Sequence, residues 1–218
     1  MIYNKKEHSY HLTHDDVIPL IREIPGRIMI HNIANAIKPW IGESSAPDVY
    51  FYTSHGEFTL GKCGKNGEVG RIDSIIQILP PDFHITDKKY CNLGIEIKCS
   101  SSDLMKDTKL VDKYLCSGLC DYYFLVATLD ELALMASVKY KDYDSIGVAS
   151  LASGKVFKTP KRQYVSTESE AEFVRLLANR QHHKESPYLE YYLQDDDLMI
   201  IRPHAITQNA PIVKIMQC

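Results

Sequence analysis

Two stretches near the middle of the chain are predicted to be inner β-strands: the mostly apolar Ile72–Leu79, and Gly94–Ser100, where apolar and charged residues alternate. Because side chains in a strand alternate between faces, Glu96 and Lys98 project from the same face of the second strand. Asp73 supplies a second carboxylate from the first strand. Unpaired charges are costly to bury among apolar neighbours. The three charged side chains therefore indicate a site.

The segments around these strands predict how they pair. Pro80-Pro81 ends the first strand, since proline cannot donate to a ladder. The polar stretch 82–92 is too short for a crossover helix, so the two strands are expected to be antiparallel neighbours. Ser100–Asp103 has the spacing of a helix N-cap box and opens a helix predicted over Ser101–Leu119. A strand at Tyr122–Ala127 then follows, and this strand–helix–strand order predicts a parallel, right-handed connection.

Further elements are predicted on both sides of this centre. Before this centre, a helical segment is predicted over Asp16–Trp40. It is interrupted at Pro25-Gly26, and its second helix runs from about Arg27 to Lys38. Two strands follow at Val49–Tyr52 and Glu57–Leu60, joined by a turn at Ser54–Gly56. After the centre come a helix over Asp130–Tyr140, a hairpin of Ile146–Leu151 and Lys155–Phe157, a helix opened by a capping box at Thr167–Glu170, and a helical stretch at Tyr188–Leu198.

Composition limits the classes of protein that fit. The 218 residues can bury a full core, and their net charge of −3 gives no overall basic field, so any nucleic-acid surface must be local. No apolar run reaches the ~18 residues that a membrane helix needs. The first eight residues lack the apolar core of a signal peptide. These features predict a cytoplasmic protein that is not bound to a membrane.

Histidines and cysteines offer two alternative metal sites. The six cysteines form no CxxC pair, which favours reduced and mostly buried thiols, although Cys116 and Cys120 are spaced so that they can clamp a metal. Residues 8, 11 and 14 are histidines whose spacing fits one face of a helix. Thr13 and Asp15-Asp16 predict a helix start that would break this face, so a solvated N-terminal arm is favoured.

Carboxylates and a lysine suit a different metal chemistry. Mg²⁺ takes oxygen ligands and is usually bound by one or two carboxylates together with substrate phosphate. Asp73 and Glu96 can supply these carboxylates, with the Ile97 backbone carbonyl between them, and Lys98 can neutralise charge that develops on a phosphate. The alternative is a solvated strand face with an ion pair worth well under ~1 kcal/mol.

An Asp followed by Glu-x-Lys on the next strand resembles the active-site signature of the PD-(D/E)XK nuclease superfamily. The surrounding series resembles its MmcB-like DNA-repair nuclease branch over roughly residues 57–160. This series consists of Gly70-Arg71-Ile72-Asp73, Ile95–Asp103, Asp107-x-Lys109, Tyr114 and Cys120-Asp121-Tyr122-Tyr123-Phe124. The chain departs from the branch in the spacing before Asp73 and Phe124, and in the leucines at positions 104 and 110.

The resemblance implies a Mg²⁺- or Mn²⁺-dependent deoxyribonuclease in a repair or restriction setting. It assigns catalysis to Asp73, Glu96 and Lys98 and metal binding to Asp73, Glu96 and the Ile97 carbonyl. It adds Glu57 as a further acidic ligand, with Glu43 and Glu68 as other candidates, and phosphate contacts from Arg71, Lys106, Lys109 and Lys113. For these lysines a solvated helix face is the alternative. Three matters stay open: a nucleic-acid-binding or assembly module without turnover, an RNA-processing nuclease, and a homodimer.

The expected architecture is α/β: a mixed central sheet of about four or five strands flanked by helices, in the restriction-endonuclease-like arrangement. Residues 1–45 are predicted as an N-terminal helical segment packing on the core. Residues 46–165 are predicted to form the nuclease-like core, and residues 166–218 a C-terminal helical extension.

Overall fold

The computed structural model describes residues 2–4, 9–22, 24–37, 48–62, 69–79, 91–107, 117–182, 188–193, 199–203 and 213–215. The strands among them are β1 (Ile2–Asn4), β2 (Ser9–His11), β3 (Asp48–Lys62), β4 (Val69–Leu79), β5 (Cys91–Lys98), β6 (Tyr122–Ala127), β7 (Ile146–Ser150), β8 (Val156–Lys158), β9 (Tyr188–Leu193), β10 (Met199–Pro203) and β11 (Val213–Ile215). The helices are α1 (His14–Arg22), α2 (Ile24–Ala36), α3 (Ser101–Lys106), α4 (Asp130–Lys139) and α5 (Thr167–His182).

The strands form one broad mixed sheet and a small separate hairpin. The order in the sheet is β11-β10-β9-β3-β4-β5-β6-β7-β8, and β1 pairs with β2. As predicted, β4 and β5 are antiparallel and β5 and β6 are parallel. The α/β class with a mixed central sheet is thus confirmed, and the predicted four or five strands form the middle of a wider sheet.

Helices cover both faces of the central strands, and the alternation along β6 shows how. Phe124 and Val126 pack with buried side chains of α1 and α2 on one face. Leu125 and Ala127 pack with buried side chains of α3 and α4 on the other. Because both faces of β6 are buried, its sequence is continuously apolar, as expected for an inner parallel strand. None of the helices that the structure describes has the length and apolar character needed to span a bilayer.

The turn predicted at Ser54–Gly56 is wrong. Residues on both sides of it belong to one strand, β3, which pairs with β4 before and after the segment. The register between the two strands shifts between Thr53 and Phe58, so the extra residues are absorbed as an irregularity within the ladder. A local turn signal was overridden because pairing with β4 resumes beyond it.

The helix predicted over Ser101–Leu119 is also wrong in its extent. Its start is as expected, with the Ser100 hydroxyl accepting a hydrogen bond from the Asp103 N–H at 3.1 Å. The helix ends at Lys106, because Asp107 takes an extended conformation with φ −73° and ψ 98°. The stretch 117–120 is not α-helical either, and 108–116 lies outside the described residues.

Two predictions near the ends of the chain need correction. The helical stretch predicted at Tyr188–Leu198 contains β9, whose residues 188–192 pair with β3. Its tyrosines have a high preference for strands, and the available partner edge decides the outcome. At the N-terminus, helix α2 begins at Ile24 rather than Arg27. Gly26 lies within this helix, and the position requires glycine because a Cβ there would be 2.0 Å from the Ile21 carbonyl oxygen.

Other elements agree with their predictions. The helix over Asp130–Lys139 and the antiparallel hairpin of β7 and β8 are present. The helix α5 is present too, although its N-cap is Ser166, whose hydroxyl accepts from the Ser169 N–H at 3.1 Å. The helix start near Thr13 is confirmed by hydrogen bonds from its backbone N–H and hydroxyl to the Asp16 carboxylate, at 2.9 and 2.7 Å.

Gly94 tests how tightly β4, β5 and β6 pack. A Cβ at this position would lie 2.6 Å from Ile72 Cδ1 and 2.8 Å from a ring carbon of Tyr123, both of which are buried. We expect Gly94→Ala to lower the free energy of unfolding by about 1–3 kcal/mol, as overpacking of a core does. Urea unfolding followed by circular dichroism measures this. The exposed Lys141→Ala should stay within about 0.5 kcal/mol of wild type, and an unchanged Gly94→Ala would contradict the packing.

Candidate active site

The centre of the candidate site is a fork between β4 and β5. The ladder between these strands runs from Ile78 opposite Cys91 to Ser74 opposite Ile95. Beyond that point β4 continues its pairing with β3, and β5 continues its pairing with β6. The two strands therefore separate at the next pair of residues, Asp73 and Glu96.

Asp73 occupies the opening of this fork. Its Oδ2 accepts a hydrogen bond of 2.6 Å from the Ile97 N–H, a backbone donor that faces the β4 edge. A buried backbone donor needs a partner, and here a side chain takes over from the ladder. Since the N–H and C=O of one residue point to the same edge of a strand, the Ile97 carbonyl is also directed towards the fork.

The strand alternation of β4 is interrupted at the same place. Ile72 and Ile75 pack in one hydrophobic cluster, whereas a regular strand would place them on opposite faces. The β3–β4 register shift lies opposite these residues. Bulges re-aim side chains in this way, and this one directs Asp73 towards β5.

Glu96 and Lys98 lie side by side on β5, as their spacing predicted. Lys98 Nζ is 3.0 Å from Glu96 Oε1, and the two residues are only 4% and 8% exposed. Burial, followed by the charge of Asp73, raises the pKa of Glu96 to about 8, against the opposing effect of Lys98. Asp73 and Glu96 are the first residues beyond the β4–β5 ladder, and Asp73 accepts from the Ile97 N–H next to Glu96, so the structure brings Asp73, Glu96 and Lys98 together.

A further carboxylate, that of Asp107, contacts the same lysine. Its Oδ2 is 2.9 Å from Lys98 Nζ, and its side chain is 9% exposed. Burial alone would lower the pKa of Lys98, but the carboxylates of Glu96 and Asp107 outweigh burial and raise it. In the sequence, Asp107 stands out only as part of the family resemblance, because no local pattern indicates that a residue after a helix contacts the preceding strand.

The fork offers oxygen donors of the kind that a divalent ion binds. Glu96 and Asp107 contact the one ammonium group and Asp73 lies at the same fork, so these three carboxylates give an excess of negative charge when all are ionised. Two interacting carboxylates and a nearby carbonyl match the few protein ligands that Mg²⁺ takes while it keeps water and phosphate oxygens. Among the described residues, no group of three or more His, Cys, Asp or Glu side chains is arranged to hold a metal. The described residues of the fork thus fit a two-carboxylate site.

Several other predicted site residues are placed only in part. The backbones of Glu57 and Arg71 lie in β3 and β4, but their side chains are not described. Lys106 is exposed on α3, which directly follows the site strand. The candidates Lys109, Lys113, Glu43 and Glu68 lie outside the described residues.

The segment Lys155–Arg162 forms a basic edge with four lysine and arginine residues, and several of these side chains make contacts within the protein. Lys158 Nζ donates to the Tyr140 and Tyr143 carbonyls, and Lys161 pairs with Asp144. Arg162 donates to Asp121 Oδ1 through Nε at 3.0 Å and Nη2 at 2.8 Å. This part of the surface has a structural role that its composition did not reveal.

Asp121 connects this edge to the sheet. Its Oδ2 accepts from the Asn92 N–H at 2.9 Å, where β5 begins, and burial raises its pKa. The Cys120-Asp121 pair of the resemblance thus lies near the start of β6, at the opposite end of the strands from Lys98. Cys91, Cys99 and Cys120 are free thiols.

The alternative histidine and cysteine sites gain no support. His11 lies in β2 and His14 begins α1, so these two residues do not share a helix. His8 and Cys116 lie outside the described residues. Comparison of the chain with protein-family models, curated proteins and solved structures found no match in any of the three.

Proposed function

We propose that this protein is a Mg²⁺- or Mn²⁺-dependent nuclease that hydrolyses phosphodiester bonds in DNA, in a repair or restriction setting, with a restriction-endonuclease-like arrangement of its sheet. The observation that carries the proposal is the fork, where Asp73 interacts with Glu96 and Lys98 lies 3.0 Å from Glu96. The antiparallel β4–β5 pair and the parallel β5–β6 pair support the same architecture.

Asp73, Glu96 and the Ile97 carbonyl are the groups that would hold the ion. A divalent ion bound there supplies Lewis-acid polarisation of the phosphate and lowers the pKa of a water molecule. Without the ion, burial and after it the charge of Asp73 raise the pKa of Glu96, so ionising this second carboxylate is unfavourable. Functional sites often keep such unfavourable arrangements, and here a cation would relieve it.

Lys98 would act on the substrate through its charge. An ammonium is a compact point charge with three donors, suited to holding a water molecule or neutralising charge on a phosphate. Its low exposure strengthens this interaction, because little water screens the charge. Because Lys98 is so little exposed, the scissile phosphate must enter the fork to contact it. Lys106, exposed on the following helix, can make a phosphate contact near it.

Incubation with nucleic acids tests the function. Single-stranded, duplex and branched DNA, and RNA, would each be incubated with Mg²⁺, Mn²⁺ or EDTA, and the products separated on denaturing gels. We expect cleavage of at least one DNA substrate with either ion and none in EDTA.

Three other outcomes separate the alternatives. Cleavage of RNA alone would favour the RNA-processing nuclease. Binding to every substrate without cleavage would favour the module without turnover, and cleavage that persists in EDTA would contradict a metal-dependent enzyme.

A further inference from the structure

Two carboxylates define the position of the Lys98 ammonium. Nζ lies 3.0 Å from Glu96 Oε1 and 2.9 Å from Asp107 Oδ2. The contact with Glu96 has hydrogen-bond geometry and that with Asp107 is an ion pair, so the ammonium is held from two sides by opposite charges that little water screens. Glu96 belongs to the strand that carries Lys98, whereas Asp107 approaches from outside the sheet and can set the position of the ammonium independently.

Asp107 is fixed by contacts at its backbone. Its N–H donates to the Asp103 and Leu104 carbonyls at 3.2 and 3.3 Å, at the end of α3. From α4, Lys139 Nζ donates to the Asp107 carbonyl at 2.6 Å, and the Tyr140 hydroxyl donates to it at 3.2 Å. These bonds satisfy a carbonyl that a continuing helix would otherwise use. They explain why the helix ends here and why the carboxylate turns towards Lys98.

Helix α4 is in turn attached to the sheet. At its start, Asp130 Oδ1 accepts a 2.5 Å hydrogen bond from the Ser150 hydroxyl of β7. At its end, Lys158 of β8 donates to the Tyr140 carbonyl at 2.6 Å. Between these two ends of α4, Ala133 and Ala136 are fully buried. The outer strands, α4, Asp107 and Lys98 therefore form one connected set of contacts.

We propose that Asp107 is a positioning residue, which holds the Lys98 ammonium beside Glu96 and is itself held by Lys139 and Tyr140 of α4. What Lys98 does for the reaction rests on the proposed nuclease function. Asp103 provides the contrast, since its Oδ1 is 3.7 Å from Lys98 Nζ and its side chain is 38% exposed. A group that orients a catalytic charge affects turnover more than substrate binding.

The position of Lys98 can be measured without any activity. In protein with ¹⁵N-labelled lysine side chains, the NMR signal of the Lys98 ammonium is identified by its loss in Lys98→Met. We expect Asp107→Asn to speed exchange of the Lys98 N–H protons with solvent by about tenfold or more, since the mutation removes one of the two carboxylate charges closest to the ammonium. Asp103→Asn, on the same helix, should leave the exchange within about twofold of wild type.

A second variant makes the test independent of whether Asp107→Asn folds. Lys139→Met keeps the Asp107 carboxylate but removes the hydrogen bond from Lys139 to the Asp107 backbone carbonyl. Exchange of the Lys98 N–H protons should therefore also become faster. On a cleaved DNA substrate, Asp107→Asn should lower kcat by about tenfold or more with KM within about twofold.

Two results would overturn the proposal: exchange at Lys98 that is unchanged in both variants, or faster exchange with an unchanged kcat. A wild-type protein that cleaves nothing would instead overturn the nuclease function. The exchange measurement would then still show whether Asp107 positions Lys98.

Discussion

Replacing Lys98 with alanine is expected to lower metal-dependent DNA cleavage by ~10²-fold or more, as removal of an electrostatic catalytic group does. The substitution removes a charge that is 4% exposed and 3.0 Å from Glu96. It keeps Asp73 and Glu96, so calorimetric titration with Mn²⁺ should still detect binding. Single-turnover cleavage of the substrate found for the wild type measures the loss.

The exposed Lys141→Ala is the matched control, because it removes the same charge away from the fork. Its cleavage rate should equal that of the wild type. Circular dichroism establishes that both variants are folded. If Lys98→Ala cleaves at the wild-type rate, the lysine has no catalytic role. If it loses Mn²⁺ binding as well, Lys98 acts by holding the carboxylates in place.

The sequence was sufficient to predict the middle of the sheet because local and tertiary preferences agree there. The period-two pattern around Glu96 and Lys98 identified β5, and the short connection before it predicted an antiparallel neighbour, as observed. The isolated charge at Asp73 pointed to the place where the ladder opens. Charged side chains on an otherwise apolar strand are informative because few arrangements make their burial tolerable.

Other features depend on partners that are distant in sequence. The continuity of β3 through Ser54–Gly56 depends on β4, which resumes pairing after the irregularity. The end of α3 depends on Lys139 and Tyr140, more than thirty residues further along. No local pattern encodes such contacts, so the helix over Ser101–Leu119 was predicted too long and the contact between Asp107 and Lys98 was missed.

Glu96→Gln is expected to make the metal-free protein more stable at neutral and alkaline pH. It should also prevent Mg²⁺ or Mn²⁺ from stabilising the protein. In EDTA, the folded protein holds a proton on Glu96 up to about pH 8, whereas the ordinary value for an unfolded glutamate is 4.5. The stability that this proton contributes is complete below 4.5 and is lost as pH rises through about 8. The wild type should therefore lose a few kcal/mol of unfolding free energy relative to Glu96→Gln across this range.

Added Mg²⁺ or Mn²⁺ should reverse this difference at pH 8. An ion that binds only the folded state stabilises it by about 2.7 kcal/mol at one hundred times its Kd. We expect the ion to raise the Tm of the wild type, but not that of Glu96→Gln or Asp73→Asn. The exposed Glu131→Gln, on α4, should respond as the wild type does. Equal stabilisation of all four proteins would locate the ion away from the fork. A wild type that is as insensitive to pH as Glu96→Gln would show that the fold does not raise the pKa of Glu96. Ionising the buried Glu96 beside Asp73 is costly without a cation, so a measurement of stability tests the metal site without any substrate.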